Sequence, residues 1–515
     1  MGYRCNKIVI VFSGVLLVFI MAVLFSCTNN GGNESSTLES ITTETREIKE
    51  EEIVKSKSLN NGSLSEVNSD GDMMKTFSLG SLENKTIKYY AKDLEDDYNK
   101  YDAITIDIGD TNSIAYNFKE LAAFENGDLI IKSPGVYVLK GELVTGQVRV
   151  EGNYGDRVEI VLDNARIMTS KDYAIYSPND VDLMIRLSDF SDNYISSNPD
   201  DKNITILKSA IYSSNALCMT GRGSLSIGAG FINDIECMDV LTIMSGKYSL
   251  FAADGALHGE SCVLIRNGEF NIVTGGESIK STSPAKGFVF IEGGDINISS
   301  ENGGIVSNNE IIFAGGNINV ESKKECVKGR TIDVFDGKMF LSSSNDGIRA
   351  TDINQNESFN QLGVYIRFVG GDTEIDSWND GLDAKGNMIF EGGRVFISGP
   401  TRHADKILSY KGLVICKGGD LIALGASKEV MDLGFDPEQN YIIIYYSDKY
   451  ARQKGSAYQL VDEAENILLS FTPEKDYRVA IISSDKLKIG NKYQLISREM
   501  VTEIVVAEKK TIIRQ

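Results

Sequence analysis

Short apolar runs separated by glycine turns fill most of the chain. The turns fall at Ser245-Gly246, Asn267-Gly268, Gly293-Gly294, Gly315-Gly316, Asp336-Gly337, Gly370-Gly371, Gly392-Gly393 and Gly418-Gly419, in steps of 22, 26, 22, 21, 34, 22 and 26 residues. The text around them recurs, as in Phe288-Val-Phe-Ile-Glu-Gly-Gly-Asp-Ile-Asn-Ile, Ile311-Ile-Phe-Ala-Gly-Gly-Asn-Ile-Asn-Val and Met388-Ile-Phe-Glu-Gly-Gly-Arg-Val-Phe-Ile. Alternation of apolar with polar positions belongs to strands, and the 3.6-residue period of a helix is nearly absent. Three strands and their turns in about 22 residues make one coil of a three-sided parallel β-helix. A leucine-rich repeat would need its Leu-x-x-Leu-x-Leu framework, and a propeller blade roughly 40 residues.

The longest step holds a polar insertion, Thr351 to Leu362, which reads as a loop. Residues 127–244 read as earlier, less regular coils. The β-helix is therefore expected over 96–438. From 439 to 515 the repeat is lost, and longer runs such as Tyr441-Ile-Ile-Ile-Tyr-Tyr and Val501-Thr-Glu-Ile-Val-Val predict a small antiparallel β cap. A solenoid needs one, because an open end exposes strand edges and core.

The other end carries an address. Arg4 and Lys7 precede an apolar run from Ile8 to Phe25, interrupted by Ser13 and Gly14 and followed by Ser26, Cys27 and a polar stretch. That is an export signal. Leu24-Phe25-Ser26-Cys27 resembles the bacterial lipoprotein signal, which implies a signal peptide over 1–27 and a lipid on Cys27. An uncleaved anchor is the alternative, since 18 apolar residues can just span a bilayer. Residues 28–95 read as a disordered acidic tether, with no aromatic residue as far as Thr76. The expected location is extracellular, attached to the cell membrane as a lipoprotein.

Composition narrows the function. Lys and Arg number 52 against 73 Asp and Glu, a net charge of −21, so nucleic acid is not an expected partner. Only two histidines occur, His258 and His403, which argues against Ser-His or Cys-His catalysis; both read as single, unpartnered residues without a special role. Beyond Cys5 and Cys27, the five remaining cysteines are scattered without Cys-x-x-Cys spacing, and most read as small core residues rather than zinc ligands.

A second motif recurs late in each coil: Ala253-Asp254-Gly255-Ala256-Leu257, Gly276-Glu277-Ser278-Ile279-Lys280, Lys324-Glu325-Cys326-Val327-Lys328, Asn345-Asp346-Gly347-Ile348-Arg349, Asn379-Asp380-Gly381-Leu382-Asp383 and Ala404-Asp405-Lys406-Ile407-Leu408. One coil, at Gly303-Gly304, lacks the acid. Equal positions stack in a solenoid, so Asp254, Glu277, Glu325, Asp346, Asp380 and Asp405 are expected in one column. Carboxylates about 5 Å apart repel unless they are solvated, paired with cations or bridged by a hard cation such as calcium. Metal candidates are thus Asp254, Glu277, Asp346, Asp380, Asp383 and Asp405, against the simpler reading in which each Asp bonds its own turn. Lys280, Lys328 and Arg349 should point outward beside them and take a uronate carboxylate, or only neutralise the ladder. Trp378, the single Trp, is positioned to stack on a sugar ring or to pack in its turn.

These turns, with Ser133-Pro-Gly-Val-Tyr-Val-Leu-Lys-Gly-Glu-Leu-Val-Thr-Gly-Gln-Val-Arg-Val and the later Phe471-Thr-Pro-Glu-Lys-Asp-Tyr, resemble a bacterial family of exported carbohydrate-binding proteins over roughly residues 98–500. The resemblance implies a right-handed, pectate-lyase-like parallel β-helix that binds calcium and acidic polysaccharide of the polygalacturonate type. The Asp-Gly pair is kept at Asp346-Gly347 and Asp380-Gly381 and is lost at Glu277-Ser278, Gly303-Gly304, Glu325-Cys326 and Asp405-Lys406. Two alternatives stay open: a calcium-dependent polysaccharide lyase with Lys280, Lys328 or Arg349 as base, and a surface adhesin or scaffold without a sugar ligand.

Overall fold

The computed structural model describes residues 97–114, 118–198, 206–284, 287–402, 405–426, 438–447, 452–497 and 500–515, with Asp93 and the strands Leu64–Val67, Met73–Ser78 and Thr86–Tyr90 ahead of them. Cys27, the whole 1–27 segment and His403 lie outside the described residues. The three early strands fall inside the stretch expected as a tether, and pair as an antiparallel sheet of their own. Among the described residues no helix is long and apolar enough to cross a membrane.

Residues Asp96–Gln515 form one compact unit. Its regular coil is built from a short strand such as Leu257–Gly259, a middle strand such as Cys262–Ile265 and a long strand such as Glu269–Thr274. Each pairs in parallel with its equivalent in the next coil: Leu257 with Ile279, Val263 with Val289, Phe270 with Ile296. This is the parallel β-helix read from the repeat. Alternation sends every second side chain inward, so like residues stack along the axis. Ile279, Ile305, Val327, Ile348 and Leu382 make one such column in the core. Fully burying each contributes roughly 1.5–3 kcal/mol. Tyr248 stacks on Phe270, and Phe368 on Phe390, with ring centroids 5.1 and 5.4 Å apart.

The glycine turns join the middle strand to the long one. Their second residues, from Gly246 to Gly419, all have positive φ. At Gly316 (φ 95°) a Cβ would lie 2.9 Å from the Gly294 carbonyl oxygen of the coil below, so both conformation and spacing require glycine. The early coils turn this corner differently. Gly135–Thr145 and Arg157–Thr169 run continuously across it, bending at Gly141 (φ 87°) and Asn164 (φ 56°). That is why the repeat is weak in sequence before residue 240.

Both ends are covered. At the start, the hairpin of Ala122–Glu125 and Asp128–Ile131 turns through Asn126-Gly127, both at positive φ, and closes the short-strand sheet. At the other end, the last long strand, Asp420–Gly425, pairs antiparallel with Val479–Ser484, which pairs with Tyr441–Tyr445. A four-stranded antiparallel sheet completes the cap. A second core forms where Phe396, Ile422 and Leu424 meet Ile442, Tyr458, Phe471 and Tyr477.

Candidate glycan-binding face

From Leu257–Gly259 to Ile348–Ala350 each short strand has three residues with the outer two buried, so the middle side chain points away from the core; Glu236 precedes them in register, and Asp383, itself buried, follows. Register pairing sets these in a single row: Glu236, His258, Lys280, Val306, Lys328, Arg349 and Asp383. Successive members are one strand spacing apart, about 4.8 Å. Lys280, Lys328 and Arg349 thus stand where alternation predicts. Their surroundings differ. Lys280 Nζ lies 2.8 Å from Asp254 Oδ2. Arg349 reaches Asp346 at 3.4 Å, Asp383 at 3.3 Å and Glu357 at 2.7 Å, the last delivered by the Thr351–Leu362 insertion. Lys328 makes no ion pair or side-chain hydrogen bond with any described residue.

The acidic corner beside the row differs from the expected single column. Counting back from the register-paired residues Leu257, Ile279, Val327, Ile348, Leu382 and Leu408, the acids Glu277, Glu325, Asp346 and Asp380 share one position. Asp254 and Asp405 sit one residue earlier, in line with Asn302, Asn345 and Asn379. Asp383 belongs to the outward row, beside Arg349. The two-position arrangement places amides next to acids: Asn302 Nδ2 donates to Glu277 at 3.0 Å, and Asn345 Nδ2 to Glu325 at 3.2 Å. Asp405 pairs with Arg402 at 2.7 Å. This relieves repulsion between stacked carboxylates.

Inward-facing hydroxyls fix that corner. The long strands end on buried Thr274, Ser300, Ser322, Ser343 and Ser377, stacked in register. Ser300 Oγ donates toward the carbonyls of Gly276 (2.7 Å) and Gly303 (3.0 Å) and accepts from the Asn302 amide. Ser343 accepts from the Asn345 amide at 2.9 Å. Buried turn backbone is satisfied in this way, where water cannot reach. Sequence reading passed over these hydroxyls; the signal was a polar residue at the inward end of five consecutive long strands.

Asp346, Asp380 and Asp383 do come together. Burial, then the Asp380 and Asp383 charges, push the Asp346 carboxyl up to about 6. Burial also raises Asp380, against donation from the Lys406 amide. Calcium, implied by the family resemblance, meets an incomplete fit here. The crowding of Asp346 by Asp380 and Asp383 suits a cation, but Arg349 already lies against Asp346 and Asp383, and Lys385 Nζ lies 2.8 Å from Asp383. Among the described residues no group of three or more His, Cys, Asp or Glu side chains is spaced to ligate a metal ion.

His258 is less plain than its isolation in sequence suggests. Its Nδ1 lies 3.7 Å from Glu236 Oε1 and its Nε2 lies 3.0 Å from Thr282 Oγ1. His258, with donors Ser209 and Asn233, holds Glu236 down at about 2. Trp378 is 55% exposed at the corner after a long strand, outside the outward row, with Lys475 Nζ 5.0 Å from its ring centroid. Cys237, Cys326 and Cys416 are core residues, as expected, and burial pushes each thiol up to about 12.

The fold is a parallel β-helix with long open faces of outward side chains. The chain belongs to the family described as carbohydrate-binding domain-containing protein, which matches residues 125–331 and 300–427. A carbohydrate-binding domain-containing protein from Acetivibrio thermocellus is 28% identical over 126 residues, 24% of this chain. The match spans 44% of that relative's length. A solved structure, the polysaccharide lyase-like protein from C. thermocellum in a gadolinium derivative, covers 61% of this chain and 95% of its own at 19% identity, with a TM-score of 0.34.

Proposed function

We propose that the protein holds an acidic polysaccharide of the polygalacturonate type along the short-strand face. Lys328 carries this reading. It is a cation without an ion pair among the described residues, midway along an outward row whose other cations are already engaged. A uronate carboxylate supplies the missing partner, and charge-assisted hydrogen bonds are among the stronger polar contacts. Lys280 and Arg349, held by their acids, present their remaining N–H groups on either side. Asp346, Asp380 and Asp383 are the residues that would hold calcium, which would add positive charge to the same face. Lipid attachment through Cys27 holds the face outside the cell, where such polymers occur. The test is binding of the full-length protein to polygalacturonate, with an uncharged polysaccharide as the comparison. Retention on the acidic polymer that weakens with salt supports the reading, because exposed charge contacts are screened. Equal retention on both polymers overturns it.

A further inference from the structure

The C-terminal cap buries a positive charge that no described residue cancels. Arg452 is 5% exposed and exchanges backbone hydrogen bonds with Tyr477, at 2.9 and 3.0 Å. Its guanidinium lies over the Tyr446 ring, 4.3 Å from the centroid. Its side-chain hydrogen bonds go to Thr502 Oγ1 (3.5 Å), Gln515 Oε1 (3.1 Å) and the thioether of Met500, all uncharged, and its Nε bonds nothing. No carboxylate among the described residues forms an ion pair with it. Taking a cation out of water without a counter-charge is strongly unfavourable.

The groups around Arg452 are short of acceptors as well. Tyr446, Tyr458 and Tyr477 are buried, and their rings meet edge to face, with Tyr477 5.8 Å from each of the other two. The Tyr446 hydroxyl lies near the Arg452 guanidinium and Thr502, and the Tyr477 hydroxyl near that of Tyr458, yet none of the three closes a hydrogen bond. Ser497 Oγ, on the register partner of Met500, is buried and unpartnered too. Buried polar groups in native proteins are nearly always paired. The phenols do not supply the missing charge themselves. Burial above all pushes Tyr446 and Tyr477 up, so both keep their protons. Arginine has N–H groups and no acceptor. The cluster therefore offers several hydrogens and one positive charge, and wants an acceptor that is negative.

We infer that this cluster is a binding site for a small inorganic anion of chloride size, held by the Arg452 guanidinium and the hydroxyls of Tyr446, Tyr458 and Tyr477. A monatomic anion accepts from several directions at once, which suits donors carried by separate segments. The packed rings leave no room for a bulkier carboxylate or phosphate ligand. Tyr458 opens the strand Tyr458–Asp462 of the cap sheet, and Tyr477 leads into Val479–Ser484, which pairs with the last long strand of the solenoid. An anion between them would tie the cap sheet to the segment that docks on the last coil. The site is independent of Lys328 and of any glycan on the short-strand face.

The test is thermal unfolding of the full-length protein at constant ionic strength, with chloride replacing gluconate. The site predicts a melting temperature that rises by about 1–3 °C between about 1 and 100 mM chloride, because an anion bound only by the folded state stabilises it by mass action. The double variant Tyr458→Phe, Tyr477→Phe keeps the rings and removes two donors, so it should fold and lose at least about half of that response. Lys328→Glu should keep it. Crystals of the wild type soaked in bromide should show an anomalous peak within hydrogen-bond reach of Arg452 and the phenols. A chloride response equal in wild type and double variant overturns the inference. So does ordered water without anomalous signal in the cluster, or a bromide peak with no chloride response in solution, which would be an adventitious ion only.

Discussion

Lys328 and Arg349 are register partners on adjacent short strands, yet three carboxylates hold Arg349 and, among the described residues, none holds Lys328. Two cations placed directly opposite each other on a sheet repel. The acids around Arg349 screen it, which leaves Lys328 as the charge on this face with an unmet demand for an anion. The distinction matters because the sequence presents Lys280, Lys328 and Arg349 as equivalents.

Glycine at the corner is a structural requirement with a measurable cost of removal. In Gly316→Ala the new Cβ would meet the Gly294 carbonyl oxygen at 2.9 Å with φ at 95°. Destabilisation of about 1–3 kcal/mol is expected from the strained conformation alone. Denaturant melts of the two proteins check this; equal stabilities would mean the corner is softer than its hydrogen-bonded stack implies.

Asp234 predicts a specific pH dependence. Burial holds its carboxyl up at about 8, and its oxygens have no hydrogen-bond partner among the described residues. The unfolded chain releases that proton near 3.8. Between these values the folded state binds more protons, so the stability present below about pH 4 is lost as pH rises toward 8. Asp234→Asn cannot titrate, and its stability should fall less between about pH 5 and pH 8. Parallel pH profiles for both proteins would contradict this.

Calcium should raise the melting temperature of the intact protein and a chelator should lower it, because a ligand that binds only the folded state stabilises it by mass action. Replacing Asp380 and Asp383 together with Asn should remove that response. If chelator and calcium give the same melting temperature, the acidic corner is held by Arg349, Lys385 and its Asn neighbours alone.

The proposed lipid attachment rests on one residue, Cys27. Cys27→Ala should release the protein from the membrane fraction of an expressing bacterium. Continued membrane attachment would point to the run from Ile8 to Phe25 acting as an uncleaved anchor.

The solenoid was legible because its cause is local. Each coil repeats the same alternation and needs glycine at the same corner, so period and turn chemistry agree. The outward placement of Lys280, Lys328 and Arg349 followed from that alternation. The acidic column was read by motif likeness, aligning Asp254 in Ala-Asp-Gly with Asp346 in Asn-Asp-Gly. Counting back from the inward residues separates them: Asp254 precedes Leu257 by three positions, whereas Asp346 precedes Ile348 by two. The Glu236–His258 contact was out of reach, because it joins coils 22 residues apart and Glu236 lies in no recurring motif. The pairing state of Lys328 also depends on geometry, including a loop that brings Glu357 to its neighbour rather than to it.

The central claim is that Lys328 receives the carboxylate of an acidic glycan. Equilibrium binding of polygalacturonate should be compared for the wild type, Lys328→Glu and Lys323→Glu, the last altering a lysine that pairs with Glu301 away from the row. Charge reversal at Lys328 should weaken binding by about ten-fold or more, as expected for loss of one charge-assisted contact, while Lys323→Glu stays close to wild type. Equal affinity in all three proteins would contradict the account and move the glycan off the short-strand face.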